Sequence, residues 1–277
     1  MLAFGIAYSV LLIASGLSLD RRLRYGGALL ACLLALWVGY SSWQFSVYVL
    51  GYLLLSAWMV ERPARNGLRY LHFALWGGAS LPLLVHTAPG YDGLLLAEQV
   101  VMKPASVAID LYFNHDKIWV AWSLLGWLPM IRQSLTPRRG FLPLLTPFLL
   151  LAGLALVMLL ATVLELVHWQ HGLPEWFWVF AIANLLNTCI AEEMLFRGLV
   201  QRQLQIRFGW IVALLGTSLL FGLAHVPGGW SFVAVASLAG LVYGLTYLWT
   251  GRLVWAVLVH WLLNLSHLML FTYPFSA

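Results

Sequence analysis

"LPLLTPFLLLAGLALVMLLATVL", residues 142–164, contains no charged side chain. About 20 consecutive apolar residues are enough for an α-helix to cross the hydrocarbon core of a bilayer. A soluble domain would have to expose much of such a segment to water, so the segment predicts a membrane-spanning helix.

Apolar runs of this kind recur along the whole chain, whose residues are 62% hydrophobic and 9% charged. Short polar or Gly/Pro clusters separate the runs. They lie at 3–19, 26–41, 43–60, 70–86, 118–131, 142–164, 176–194, 210–225, 230–249 and 253–272. Three of these runs are short or hard to separate from a neighbour. We therefore expect an all-α, polytopic bundle of eight to ten transmembrane helices.

The loop arginines indicate the orientation of the chain, because basic residues in short loops are retained on the cytoplasmic side. If the chain crosses the membrane ten times, all of the loop arginines lie on the same side of the membrane: Arg21, Arg22, Arg24, Arg62, Arg65, Arg69, Arg132, Arg138, Arg139, Arg202, Arg207 and Arg252. Only Lys103 and Lys117 fall opposite, in a longer segment, 87–117. Within it we expect residues 93–113 to lie along the outer interface or to form a plain loop.

The net charge of +5 therefore reflects membrane orientation and gives no reason to expect a nucleic-acid partner. We expect an integral, multi-pass protein whose surroundings are the lipid bilayer, in a bacterial inner membrane.

The stretch "AEEMLFRG", residues 191–198, places two adjacent carboxylates and an arginine at the end of an apolar run. Ionisable groups at membrane depth cost on the order of 2.5 to 3.5 kcal/mol each, so they usually face the bundle interior and serve a function. Glu193 and Arg197 are four residues apart and share a helix face, which predicts an ion pair. Glu192 points about 100° away and could serve as a base. The alternative is a helix end whose carboxylates reach water.

Histidines on the following helices add to this polar set. The chain is predicted to turn at "FGW", residues 208–210, with Glu192 17 residues before Gly209 and His225 16 residues after it. Both residues would then lie about 25 Å along their helices, at similar depth. His260 shares a helix face with Asn264 and with His267. Its distance from the next turn, at Gly251, places it at a shallower depth than His225.

Such a group of side chains could hydrolyse a peptide bond. A glutamate would take a proton from water as general base, and the histidines and Asn264 would orient the water or donate to the oxyanion. The same residue types could instead hold a zinc ion through two imidazoles and a carboxylate, with a water at the open position.

The order Glu-Glu-x-x-x-Arg (Glu192, Glu193, Arg197), Phe-x-x-x-His (Phe221, His225) and His-x-x-x-Asn (His260, Asn264) resembles the CAAX protease and bacteriocin-processing family, also called Abi, of intramembrane endopeptidases. The resemblance spans roughly residues 176–270. It implies that Glu192 activates water, that His225 positions that water, and that His260 and Asn264 bind the oxyanion. The substrate would be a membrane-associated protein or peptide.

The resemblance divides the chain into residues 1–140, N-terminal transmembrane helices of unknown role, and residues 141–277, the catalytic core. It favours catalysis without a cofactor, although members were long called metalloproteases and a zinc-dependent version is the alternative. His225, His260 and Glu192 would be the zinc ligands, but they lie on three separate helices.

Two other classes of function compete with the protease. A non-catalytic immunity or scaffold protein of the same fold would have no reason to keep every costly polar group in the membrane. A transporter that relays protons would often show paired hydrophobic halves, and none are visible in the sequence.

Three other features have simpler explanations. His168 and His171, near Glu165, are interpreted as interfacial residues at the end of a span. Cys189 lies one turn before the glutamates, but a buried thiol in an apolar helix is normally inert. Both cysteines, Cys32 and Cys189, lie in apolar runs, so the sequence contains no disulfide framework.

The arginine pattern gives a direct test of topology. Single cysteines placed in the loops 20–25, 61–69 or 132–140, or beside Arg252, should react with a membrane-impermeant maleimide only from the cytoplasmic side. A cysteine in the segment 87–117 should react only from the outside, which makes it the matched control. Outside labelling of any arginine-bearing loop would contradict the ten-span arrangement.

Overall fold

The computed structural model describes residues 1–62, 68–127 and 145–277, and most of these residues are helical. The helices are α1 (Leu2–Leu17), α2 (Arg21–Trp37), α3 (Trp43–Glu61), α4 (Leu68–Leu84), α5 (Lys117–Trp127), α6 (Thr146–Val163), α7 (Phe177–Leu223), α8 (Trp230–Thr250) and α9 (Leu253–Leu270). Two strands, β1 (Leu94–Val100) and β2 (Ile109–Phe113), form a two-stranded sheet.

The predicted all-α membrane fold is confirmed. Five helices of the described residues, α3, α6, α7, α8 and α9, are long and apolar enough to cross a bilayer. Helix α1 is apolar but shorter. The chain is therefore an integral membrane protein, and the number of eight to ten spans stays a prediction. The loop 132–140 and much of the loop 61–69 lie outside the described residues, as does the predicted boundary between residues 140 and 141.

The segment 93–113 differs from expectation, because it forms a β-hairpin where we expected an interfacial stretch or a plain loop. The second strand alternates in the manner of a half-buried strand: Leu111 and Phe113 are buried, whereas Asp110 and Tyr112 are exposed. This short alternation was hidden by the hydrophobic and charged residues mixed along the segment.

Helix α7 contains the glutamate pair and is irregular along its length. Two π-helical segments, Asn184–Cys189 and Met194–Gln201, flank the single α-helical turn Ile190–Glu193. Such wide turns occur frequently at functional sites. The helix is broken at Gly209, where φ is 80°, a backbone conformation that glycine adopts without a steric penalty. The break lies in the predicted "FGW" turn.

The chain divides into two compact units. The first contains Met1–Ala97, Leu111–Pro129 and Leu186–Ala191, as far as these ranges are described. Its core includes an aromatic cluster in which His115 packs against Tyr40, with a centroid separation of 4.4 Å. Burial lowers the pKa of His115 to about 4, so the ring is neutral at pH 7. In the same unit the Ser9 hydroxyl donates to the Asn187 side chain over 2.8 Å.

The second unit contains Glu98–Asp110, Glu192–Ala277 and the described part of Met130–Leu185. Its apolar core is formed by residues of α6, α8, α9 and the part of α7 that follows Gly209. It includes Leu154, Phe221 and Leu263. Lys103, at the tip of the hairpin, donates to the carbonyls of Gln170, Leu268 and Met269. Leu268 and Met269 lie in the last turn of α9, where a cation is favourable because the C-terminal end of a helix carries partial negative charge.

Candidate active site

The Glu193 carboxylate and the Arg197 guanidinium form an ion pair inside the second unit. Arg197 Nη1 donates to Glu193 Oε1 over 3.0 Å, and both side chains are 0% exposed. Their four-residue spacing places them on the same side of α7. Opposite charges this deeply buried persist only when each is paired.

The same carboxylate oxygen also binds His260 from α9. His260 Nδ1 lies 2.9 Å from Glu193 Oε1. A carboxylate can only accept, so Nδ1 carries a hydrogen and, in the neutral ring, Nε2 keeps its lone pair. Glu193 thus fixes the orientation of the His260 ring. Sequence reasoning predicted the pair with Arg197 but not this second contact, because nothing in the spacing relates residue 193 to residue 260.

Arg197 also connects α7 to α8. Its Nη2 donates to the carbonyl of Gly240 over 2.7 Å. The guanidinium carbon lies 4.8 Å from the ring centroid of Phe221 and 5.2 Å from that of Tyr243. Aromatic faces attract a cation, so these rings further stabilise the buried charge.

Tyr243 orients His260 from the other side. The two rings stack with their centroids 4.5 Å apart and an interplanar angle of 14°. The Phe221 and His260 rings meet edge to face, with their centroids 5.8 Å apart. Sequence reasoning missed Tyr243 as part of the site, and the sequence offers little signal for it. The small-residue spacing Gly240-x-x-x-Gly244 around it does indicate a helix face that a neighbouring helix can approach closely.

His225 lies just beyond the end of α7, which stops at Leu223, and not inside the predicted helical run 210–225. Its Nδ1 is 2.7 Å from the Phe221 carbonyl oxygen, which can only accept. Nε2 therefore holds the lone pair of the neutral ring. The ring packs against Phe221 and Phe232, with ring centroids 4.8 Å and 5.6 Å apart, respectively. Phe221 thus contacts both histidines, although their spacing from the predicted turns placed them at different depths.

Glu192 is 7% exposed and belongs to the α-helical turn between the two π-helical segments. It lies near enough to Arg197 to interact with it electrostatically. The hydrogen bonds that fix Arg197 and His260 both go to Glu193. The two adjacent carboxylates therefore have different surroundings, as their 100° separation on a helix predicts.

Asn264 contacts α7 one turn beyond His260. Its Nδ2 donates to Asn184 Oδ1 over 3.0 Å, from α9 to the first π-helical segment of α7. Asn184 was not singled out from the sequence, where it appears as one polar residue in an apolar run. His267 faces away from this group, because its Nε2 donates to the carbonyl of Thr272 over 3.0 Å.

Within the described residues, no group of three or more His, Cys, Asp or Glu side chains is arranged to hold a metal ion. His168 and His171 form no such group with Glu165. Cys189 is fully buried, as is usual for a structural thiol.

Comparison with known proteins finds a family that is similar to the part of the chain containing this site. Residues 174–266 match the family described as type II CAAX prenyl endopeptidase, Rce1-like. The searches of curated proteins and of solved structures returned no match. The matched range contains all six predicted site residues: Glu192, Glu193, Arg197, His225, His260 and Asn264. The predicted resemblance to the CAAX protease family is thereby confirmed over residues 174–266.

Proposed function

We propose that this protein is an intramembrane endopeptidase in which Glu192 activates water for the hydrolysis of a peptide bond in a membrane-associated substrate. The observation that carries the proposal is the sharing of Glu193 Oε1 between Arg197 and His260. A carboxylate held by two partners is poorly suited to accept and release a proton. The adjacent carboxylate, Glu192, is the one that we assign as general base.

Each bond change can be assigned to a residue. Glu192 takes a proton from water while the water oxygen attacks the substrate carbonyl carbon. The protonated Glu192 then gives the proton to the leaving amine nitrogen as the C–N bond breaks. The lone pair on His225 Nε2 accepts a hydrogen bond from the attacking water and orients it.

His260 and Asn264 stabilise the oxyanion of the tetrahedral intermediate. In the charged ring His260 Nε2 carries a hydrogen that can be donated to this oxygen. Asn264 lies one turn beyond His260 on α9, and its amide nitrogen is a hydrogen-bond donor. Donors that are already oriented need little rearrangement as the negative charge develops, which is the basis of this type of catalysis.

The family name indicates a prenylated CAAX peptide as the first substrate to test. The bacterial inner membrane, where a membrane-anchored peptide would be cleaved, is our proposal for the location of the protein.

Replacing the proposed base should abolish cleavage and leave the fold intact. Glu192→Gln keeps the size of the side chain and its hydrogen bonding but cannot take a proton. Cleavage is followed with a prenylated CAAX peptide, and by mass spectrometry for new chain termini in membranes of an expressing host. Glu175→Gln, an exposed change in the same region, is the matched control and should cleave normally. Near-normal cleavage by Glu192→Gln would overturn the assignment, and Glu193 would then be tested as the base.

Replacing Arg197 should mainly lower stability. Arg197→Ala leaves Glu193 buried without its guanidinium partner, a change that typically costs about 3 to 5 kcal/mol. The melting temperature in detergent should fall, whereas Arg207→Ala, an exposed change on the same helix, should leave it within the range of a surface substitution. Equal melting temperatures for the two variants would show that the buried ion pair is not needed for the fold.

The mechanism also predicts activity without a metal. Both histidines bind an acceptor through Nδ1, which is the usual arrangement of metal-binding histidines as well, so metal dependence has to be measured. Active protein dialysed against a zinc chelator should keep its cleavage rate and contain less than one zinc per chain. Stoichiometric zinc, with loss of activity on its removal and recovery when it is added back, would contradict the glutamate mechanism.

A further inference from the structure

Polar side chains continue along α7 beyond the ion pair, at Gln201 and Gln205. With Glu193 and Arg197 they form a row at four-residue spacing, which places successive members on neighbouring positions of one helix side. The far end of the row lies one turn before the break at Gly209, where Arg207 and Phe208 are exposed.

The members of this row, together with Arg202, contain polar atoms that are buried but have no hydrogen-bond partner among the described residues. They are Glu193 Oε2, Arg197 Nε, Gln201 Oε1, Arg202 Nε and Nη1, and Gln205 Oε1. Gln201 is only 1% exposed. Leaving a buried polar atom without a partner is unfavourable, so a row of them indicates a ligand.

Contacts with α8 do not account for these atoms. Gln201 Nε2 donates to the carbonyl of Gly244 over 3.1 Å, but this bond leaves Oε1 unused. A Cβ at Gly244 would lie 2.9 Å from that same Oε1, so the glycine is what allows the Gln201 amide to approach α8 this closely. Tyr247 lies near enough to Arg202 to interact with it electrostatically, and Arg202 Nε and Nη1 have no hydrogen-bond partner among the described residues.

The chemistry of the unpaired atoms selects the ligand. The amide and carboxylate oxygens are acceptors, and the guanidinium nitrogens are donors. An anion would pair with the donors only, and a cation with the acceptors only. Water satisfies both, and buried waters characteristically make two to four bonds to such groups.

We propose that Gln201, Arg202 and Gln205 line a water-filled passage that leads from the Arg207 end of α7 to the glutamate pair and supplies the water consumed in hydrolysis. The inference rests on the proposed function, because hydrolysis consumes water that has to reach the glutamate pair inside an apolar bundle. The arginine distribution predicts that this end of α7 faces the cytoplasm, and the passage would therefore draw its water from that side.

Cysteine reactivity tests the passage without any substrate. Gln201→Cys and Leu199→Cys are made in a chain in which Cys32 and Cys189 are replaced by alanine, and each protein is reconstituted in lipid nanodiscs. A water-soluble methanethiosulfonate is then added, which reacts with the ionised thiol and so requires hydration. Leu199 is 8% exposed and Gln201 is 1% exposed, so exposure alone predicts faster reaction at residue 199.

If the row of polar residues is hydrated, we expect the opposite order of rates. Gln201→Cys should then react at least about tenfold faster than Leu199→Cys. Gln205→Cys, nearer the mouth, should react at least as fast as Gln201→Cys. A rate at residue 201 equal to or below that at residue 199 overturns the passage, and so does reaction at residue 205 alone. Labelling as expected in a protein that cleaves nothing would contradict the proposed function but not the passage.

Activity gives a second measurement. Gln201→Leu should lower kcat about fivefold or more without changing KM, because Gln201 supplies water and does not bind the peptide. The Glu175→Gln protein, changed at an exposed residue outside the passage, serves as the control with normal kcat. Unchanged kcat in Gln201→Leu would mean that the hydrolytic water does not pass this residue.

Discussion

One carboxylate oxygen, Glu193 Oε1, holds the candidate site together. It accepts from Arg197 Nη1 over 3.0 Å and from His260 Nδ1 over 2.9 Å, in a region with 0% exposure at the glutamate. A single buried charge between two donors links α7 to α9, while Arg197 links α7 to α8 through Gly240. Removing any partner would leave a charge or a donor unpaired in a poorly solvated place, which is costly. The geometry of the site and the stability of the second unit therefore depend on the same contacts.

The surrounding structure explains how polar groups can exist in this apolar bundle. The Phe221 and Tyr243 rings lie beside the Arg197 guanidinium, and Tyr243 stacks on His260. Gly240 and Gly244 lack side chains where α7 approaches α8, so Arg197 and Gln201 can reach backbone carbonyls of α8. The π-helical turns of α7 widen the helix around the glutamate pair, a distortion that is common where a helix serves a function.

Much of this arrangement was readable from the sequence, for physical reasons. Long continuous apolar runs favour membrane helices, and α3 follows the predicted run 43–60, whereas α7 covers both predicted runs 176–194 and 210–225. The Glu193–Arg197 pair follows from helical periodicity. Three features could not be predicted. The hairpin at 94–113 depends on a short alternation of buried and exposed residues. The contact between Glu193 and His260 depends on how helices distant in sequence pack together. The position of His225 depends on the residue at which α7 ends. Long-range packing leaves no trace in local spacing, which is why Tyr243 and Asn184 were missed as well.

The central claim is that Glu193 acts in the reaction through His260. A double-mutant cycle on the cleavage rate measures this directly, with Glu193→Gln, His260→Ala and the double variant compared per folded molecule. Residues that work as one unit show strongly non-additive effects. The account predicts that the double variant is about as slow as the slower single variant. Losses that multiply in the double variant would show that the two residues act independently, and would contradict the account.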